Sequence, residues 1–80
     1  MKFVFTLNMG SFKNQPVQQI IGEIEGVKNL ETLNEVLNEQ DFITVMQYYH
    51  DKDLKRWCSK GEVILNTAHI GKVMVYRDPV

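Results

Sequence analysis

The side chains best equipped for chemistry in this chain are two histidines, one cysteine and the acids beside them. His50, Asp51 and Asp53 stand close together, Cys58 follows, and His69 lies further on. These residue types hold zinc, but a zinc site needs three or four ligands in a compatible geometry, usually supplied at short fixed spacings. The spacings here match no such pattern, so the set reads as polar loop residues and no metal or other cofactor is expected. Cys58 with a histidine could also form a nucleophile pair, with Lys55, Arg56 and Lys60 giving the positive surround that activates a thiolate. No candidate oxyanion hole accompanies it, and 80 residues leave little room for a substrate cleft. An incidental or structural thiol is the simpler reading.

Two carboxylate pairs invite the same scrutiny. Glu23 and Glu25 would share one strand face, and Glu31 and Glu35 lie one helical turn apart. Acid–base work needs two carboxylates in contrasting environments. Here both members of each pair look equally wet, which describes a solvated acidic face. The run Gly22-Glu23-Ile24-Glu25-Gly26 is not a phosphate loop. It lacks a following Lys-Ser/Thr, and its acids repel phosphate. No catalytic residue is therefore assigned, and the chain is expected not to be an enzyme.

One constellation remains: Tyr48, Tyr49, Lys52, Lys55, Arg56, Trp57 and Lys60. Aromatic rings beside cations hold single-stranded nucleic acid by stacking and by tracking its backbone. The same types, Trp, Tyr and Arg, anchor protein interfaces. A third reading has the aromatics merely closing the end of a small core. The favoured expectation is a macromolecule-binding or self-associating module that uses this segment as its tentative binding surface. Nucleic-acid binding is the alternative.

Something must position these residues. Residues 3–9 alternate, with Phe3, Phe5, Leu7 and Met9 on one face and Val4, Thr6 and Asn8 on the other, as in a strand with one buried face. Gly10 to Pro16 is polar and reads as a turn. Residues 17–25 are ambiguous. Val17, Ile20, Ile21 and Ile24 have helical spacing, yet Gly22 and Gly26 each weaken a helix by about 1 kcal/mol. The isoleucines are β-prone. A second strand is favoured, with Gly22 marking a bulge. Residues 29–39 form the best helix, with Asn29 as N-cap, Glu31 in the first turn and Leu30, Leu33, Val36 and Leu37 on one face.

The densest β-prone run is 42–49, read as a central strand apolar on both faces as far as Met46. From His50 to Lys60 the chain is a long loop or a protruding ribbon. Val63 to Leu65 is a short strand, Asn66 to His69 a turn whose side chains bond their own backbone, and residues 72–76 the last strand. Pro79 stops sheet pairing. Met9, Met46 and Met74 read as core filler.

The order is β-β-α-β-β-β: an α+β fold with a five-stranded, mostly antiparallel sheet and one helix. The alternative is β-α-α-β-β-β. Strands after residue 40 have short connections and should pair with their sequence neighbours.

Eighty residues make one small domain, with about 60–65% of the unfolded surface buried on folding. A second subunit covering an apolar face would add stability, so a homodimer is expected. The composition, 44% hydrophobic and 24% charged, is that of a folded globular protein. A net charge of −1 argues against global electrostatic capture of nucleic acid or an anionic membrane. The charge is uneven: residues 22–41 carry six acids and one base, whereas residues 50–60 carry four bases and two acids. A single cysteine excludes an intrachain disulfide and suits a reducing compartment. The apolar run at the N-terminus is too short for a signal peptide, and no stretch approaches the ~20 apolar residues of a membrane span. A cytoplasmic location is expected.

Overall fold

The alternation at the start of the chain becomes strand β1 (Phe3–Leu7), whose odd residues are all buried and whose even ones are half-buried. The computed structural model describes residues 1–8 and 18–77. The expectations for Met9, the 10–16 turn, Val17 and Pro79 fall outside them. Strand β2 (Gln18–Glu23) settles the ambiguous segment as a strand, paired antiparallel with β1. Then come helix α1 (Leu30–Glu39), strand β3 (Phe42–Asp51), strand β4 (Arg56–Asn66), a 3-10 turn (Thr67–His69) and strand β5 (Ile70–Val75). The fold is α+β, with one five-stranded antiparallel sheet in the order β4-β3-β2-β1-β5. No helix among the described residues is long and apolar enough to cross a membrane.

That order corrects one expectation. β4 and β5 are joined by only three residues yet lie at opposite edges, and β5 pairs with β1. In a flat sheet, four inter-strand gaps of ~4.8 Å would hold the two edges about 19 Å apart. The chain from Asn66 to Ile70 reaches at most about 14 Å. The sheet must therefore curl until its edges approach at one end. Two hydrogen bonds show the join: Asn8 N–H donates to the His69 carbonyl at 2.6 Å, and Thr67 N–H to the Asp41 carbonyl at 2.9 Å. Short connections make neighbours in a flat sheet, but curling lets a short connection close one instead.

The inner face of the curl holds Phe3, Phe5, Leu7, Ile20, Ile43, Val45 and Leu65, all buried. α1 covers it. Asn29 caps the helix with its side chain accepting from Thr32 N–H at 2.8 Å, and Leu33 points into the core, 1% exposed. Glu31, Glu35 and Asn38 face water, while Leu30, at the first turn, stays exposed. Thr67 Oγ, 2.8 Å from the Gln40 carbonyl and 3.2 Å from that of Asp41, donates at the end of the helix. The Asn66 side chain accepts from Ala68 N–H at 3.0 Å. The side chains of Asn66 and Thr67 are thus used in turn chemistry.

Four further expectations change. β2, not β3, is the middle strand, and only the Ile43/Val45 side of β3 is buried; Phe42 is 60% exposed. Gly22 sits in regular pairing with Phe3 and Gln47 and marks a close approach, not a bulge. A Cβ there would overlap Val45 Cγ1 and lie 2.7 Å from the Met46 carbonyl oxygen. Met46 is half-buried and Met74 is exposed, so neither is core filler. Glu25 lies in the turn after β2 and does not share a strand face with Glu23.

Candidate functional site

The segment after Tyr49 is a ribbon. β3 and β4 stay paired from Phe42–Asn66 out to Asp51–Arg56, but β2 meets β3 only at Met46, Gln47 and Tyr48. Beyond Tyr48 the two strands have only each other. Between the Gln47–Gly61 and Tyr48–Ser59 pairs the register shifts, leaving Lys60 as an extra residue on β4. Gly61, at φ +95, takes the left-handed turn such a bulge requires, and Ser59 Oγ accepts its N–H at 3.1 Å. At the tip, the Asp51 carboxylate accepts from Asp53 and Leu54 N–H at 2.9 and 3.1 Å, and Lys55 adopts φ +54. The tip is a built turn closed by an acid.

Alternation divides the seven candidate binding residues. Tyr48 opposite Ser59 and His50 opposite Trp57 share one side; Tyr49 opposite Cys58 and Asp51 opposite Arg56 share the other. The first side belongs to the outer face of the sheet. There Lys2 Nζ lies 4.9 Å from the centre of the Trp57 ring and 5.2 Å from that of Tyr48, inside the range of a cation–π contact. The Glu23 carboxylate is 3.6 Å from the same nitrogen and 4.0 Å from the N-terminal amine. Tyr76 meets Trp57 edge-on at 5.1 Å, and His50 meets it edge-on at 5.4 Å. Tyr76 N–H donates to the Lys2 carbonyl at 2.9 Å, which sets the two chain ends side by side. All five strands or their immediate flanks thus supply a residue, Tyr76 just past β5 completing the set.

Sequence reasoning found Tyr48 and Trp57 in this cluster. It treated His50 as a metal, acid–base or nucleophile-pair candidate and missed Lys2, Glu23 and Tyr76. The signal for Tyr76 was the pairing of β5 with β1, whereas Glu23 falls beside Lys2 through the β1–β2 pairing of Phe3 with Gly22. Once Phe3 and Val75 are partners, Lys2 and Tyr76 must share the outer face.

The second side is wetter. Tyr49 is 39% exposed, with Lys60 Nζ 5.7 Å from its ring centre. A hydrogen bond to Cys58 and then the charge of that thiol raise the Tyr49 phenol above its ordinary 10.0; slight burial and Asp51 add to this, and Arg56 opposes it. Lys52, Lys55 and Arg56 are exposed around the tip beside Leu54. Among the described residues, none of these cations nor Lys60 has a carboxylate within ion-pairing distance.

His50, Cys58 and His69 are not brought together. His50 and Cys58 occupy opposite sides of the ribbon, and His69 lies in the 3-10 turn at the far end of β4. No three His, Cys, Asp or Glu side chains among the described residues are grouped as metal ligands.

A further apolar area lies along β4. Ile64 is 68% exposed and Phe42, its diagonal neighbour on β3, 60%. They help line a shallow groove of about 400 Å³ with Leu7, Ile20 and His69. Compared with models of known families, with curated proteins and with solved structures, the chain matches none.

Proposed function

We propose that this protein is a small, non-enzymatic cytoplasmic binding module that works as a homodimer joined along the free edge of β4. The observation that carries this reading is an eleven-residue edge strand with the two most exposed large apolar side chains of the described residues, Ile64 and Phe42, beside it. An open edge presents a row of unpaired N–H and C=O groups that another strand can satisfy. The other edge is flanked by α1, whose Leu30, Leu33 and Leu37 line one groove with Ile70 and Val73 of β5. Along β4 the bulge at Lys60 and the charge of Glu62 guard the middle of the strand, but residues 63–66 carry no charge. Antiparallel pairing about Ile64 would be self-complementary, as a two-fold dimer requires.

Sedimentation equilibrium at micromolar concentration tests the reading. The expected result is a dimer that Ile64→Lys converts to a folded monomer, since the exposed site tolerates a charge. A wild-type chain that is monomeric throughout would overturn it.

One observation favours a second reading. Tyr49 with Lys60, and the exposed Lys52, Lys55 and Arg56, place an aromatic face beside four cations that have no acidic partner among the described residues. Such a surface suits single-stranded nucleic acid. Fluorescence anisotropy with labelled single strands at low salt decides it. Binding must weaken as salt rises, with a slope reflecting the few cations involved.

A further inference from the structure

We infer that the outer face carries an aromatic binding site for an alkylammonium group, and that Lys2 occupies it as an intramolecular stand-in. The site consists of the faces of Tyr48 and Trp57 around one ammonium, with Glu23 as counter-charge and Tyr76 and His50 holding Trp57 edge-on. It lies on the outer face at the Trp57 end of β4, the opposite end of the strand from Ile64, so its failure leaves the dimer reading untouched.

The ligand class follows from what the site offers and what it lacks. Two ring faces supply a negative quadrupole, the attraction by which aromatic sites recognise quaternary ammonium and methylated lysine. One carboxylate supplies a single counter-charge. Its 3.6 Å separation from Lys2 Nζ exceeds the ~2.7–2.9 Å of a charge-assisted hydrogen bond. A primary ammonium has three N–H donors that want close acceptors. Here it has loose ion pairing and ring faces instead. A methylated ammonium has fewer or no donors to satisfy and spreads its charge over apolar methyl groups. It therefore fits this environment better than the lysine now in it.

The occupant can leave. Lys2 stands before the first paired residue of β1, and its side chain is 25% exposed. Its backbone is held independently, by Tyr76 N–H on its carbonyl. The side chain can therefore swing out without unpairing the strand. Beside Tyr76, a groove of about 550 Å³ runs along the outer face, lined by Val4, Ile21, Met74, Gln19 and Arg77. It offers an apolar path for the chain or stem that carries the cation.

Trp57 is the only tryptophan, so its fluorescence reports on the site directly. The test titrates wild type, Lys2→Ala and Lys2→Met with tetramethylammonium chloride, using sodium chloride at matched ionic strength as control. Circular dichroism checks that each variant is folded. The expected result is a saturable change with tetramethylammonium alone, about tenfold or more tighter in both variants than in wild type, because removing the internal occupant raises the competent fraction. Adding Tyr48→Leu to Lys2→Met should abolish it. A peptide bearing trimethyllysine separates the two sources of the cation. Tighter binding than the free ion points to a chain-borne methyllysine lying in the groove, and equal binding to a small quaternary amine. No saturable response in either folded variant, or an equal response to sodium, would overturn the inference.

Discussion

The inner and outer faces of the sheet both gather aromatic residues, from β1 inside and from β3, β4 and the end of β5 outside, but they treat them in opposite ways. Inside, Phe3 and Phe5 touch edge-on, fully buried, among aliphatic side chains and under Leu33 of the helix. Among the described residues, nothing polar is buried there. Outside, Tyr48, Trp57, Tyr76 and His50 are half-buried or exposed and are organised around an ammonium and a carboxylate. The first arrangement gains from apolar area removed from water and tolerates no loss of volume. The second gains from a few electrostatic contacts at partial exposure, so each of its members can be exchanged at modest cost. A protein of this size has one face that holds the fold and one that is free to do something else.

The comparison can be broken most directly from the inside. Phe5→Ala should cost about 3–5 kcal/mol, the usual range for emptying a fully buried aromatic site. A small domain has only about 5 kcal/mol at the low end of ordinary stability, so the variant should lose its cooperative urea transition by circular dichroism. A loss below 1 kcal/mol would mean that the inner face is not the core.

Gly22→Ala comes next. The added methyl would collide with Val45 Cγ1 and the Met46 carbonyl, on the inner side of two paired strands. Overpacking of this kind costs about 1–3 kcal/mol. Combining it with Val45→Ala should cost less than the sum of the two single changes, because the side-chain clash is then gone. The carbonyl remains, so the relief is partial. Strict additivity in urea titrations would show that the strands simply move apart.

A smaller effect is expected on the outside. Lys2→Met and Trp57→Leu, measured singly and together, should give a coupling energy of about 0.5–1 kcal/mol, typical of a partly exposed cation–π contact. Both single variants should remain folded. A coupling near zero would reduce the outer cluster to packing alone and weaken the contrast between the faces.

Much of this was legible in the sequence, and the failures share one cause. The period-2 alternation of β1, the Asn29 cap and the 3.6-residue spacing of Leu33, Val36 and Leu37 are local signals, and they placed strand, helix and inner face correctly. Glycines within apolar segments favoured a strand for β2. The partnership of β5 with β1 was not legible, because it depends on the curl of the whole sheet and not on any spacing along the chain. With it was lost the place of Tyr76 beside Lys2 and Trp57. The seven-residue candidate site was read as one surface because its members are close in sequence. Alternation within a ribbon separates sequence neighbours, so Tyr48 and Tyr49 face opposite ways. Phe42 and Met74 look interior by type, although a sheet covered by a single ten-residue helix cannot hide both faces.

The smallest effect concerns that last separation. Tyr49 titrates above 10.0 chiefly because its hydroxyl is bonded to Cys58 and because charge on that sulfur repels the phenolate. The folded state thus prefers the neutral phenol. Its contribution to stability is complete below 10.0, the unfolded value, and is lost as pH rises through the raised folded value. Cys58→Ala removes the two leading causes together and should bring the titration midpoint down toward 10.0; Asp51 still raises it and Arg56 still lowers it. NMR of 13C-labelled tyrosine, with the Tyr49 signal assigned through Tyr49→Phe, follows the change. The neutral-pH signals of Tyr48 and Tyr76 should stay where they are, since both belong to the other side, beside Lys2 and Trp57. If Cys58→Ala displaces the neutral-pH signal of Tyr48 as much as that of Tyr49, the ribbon does not separate its two sides, and the division of the candidate site into an outer cluster and an exposed tip falls with it.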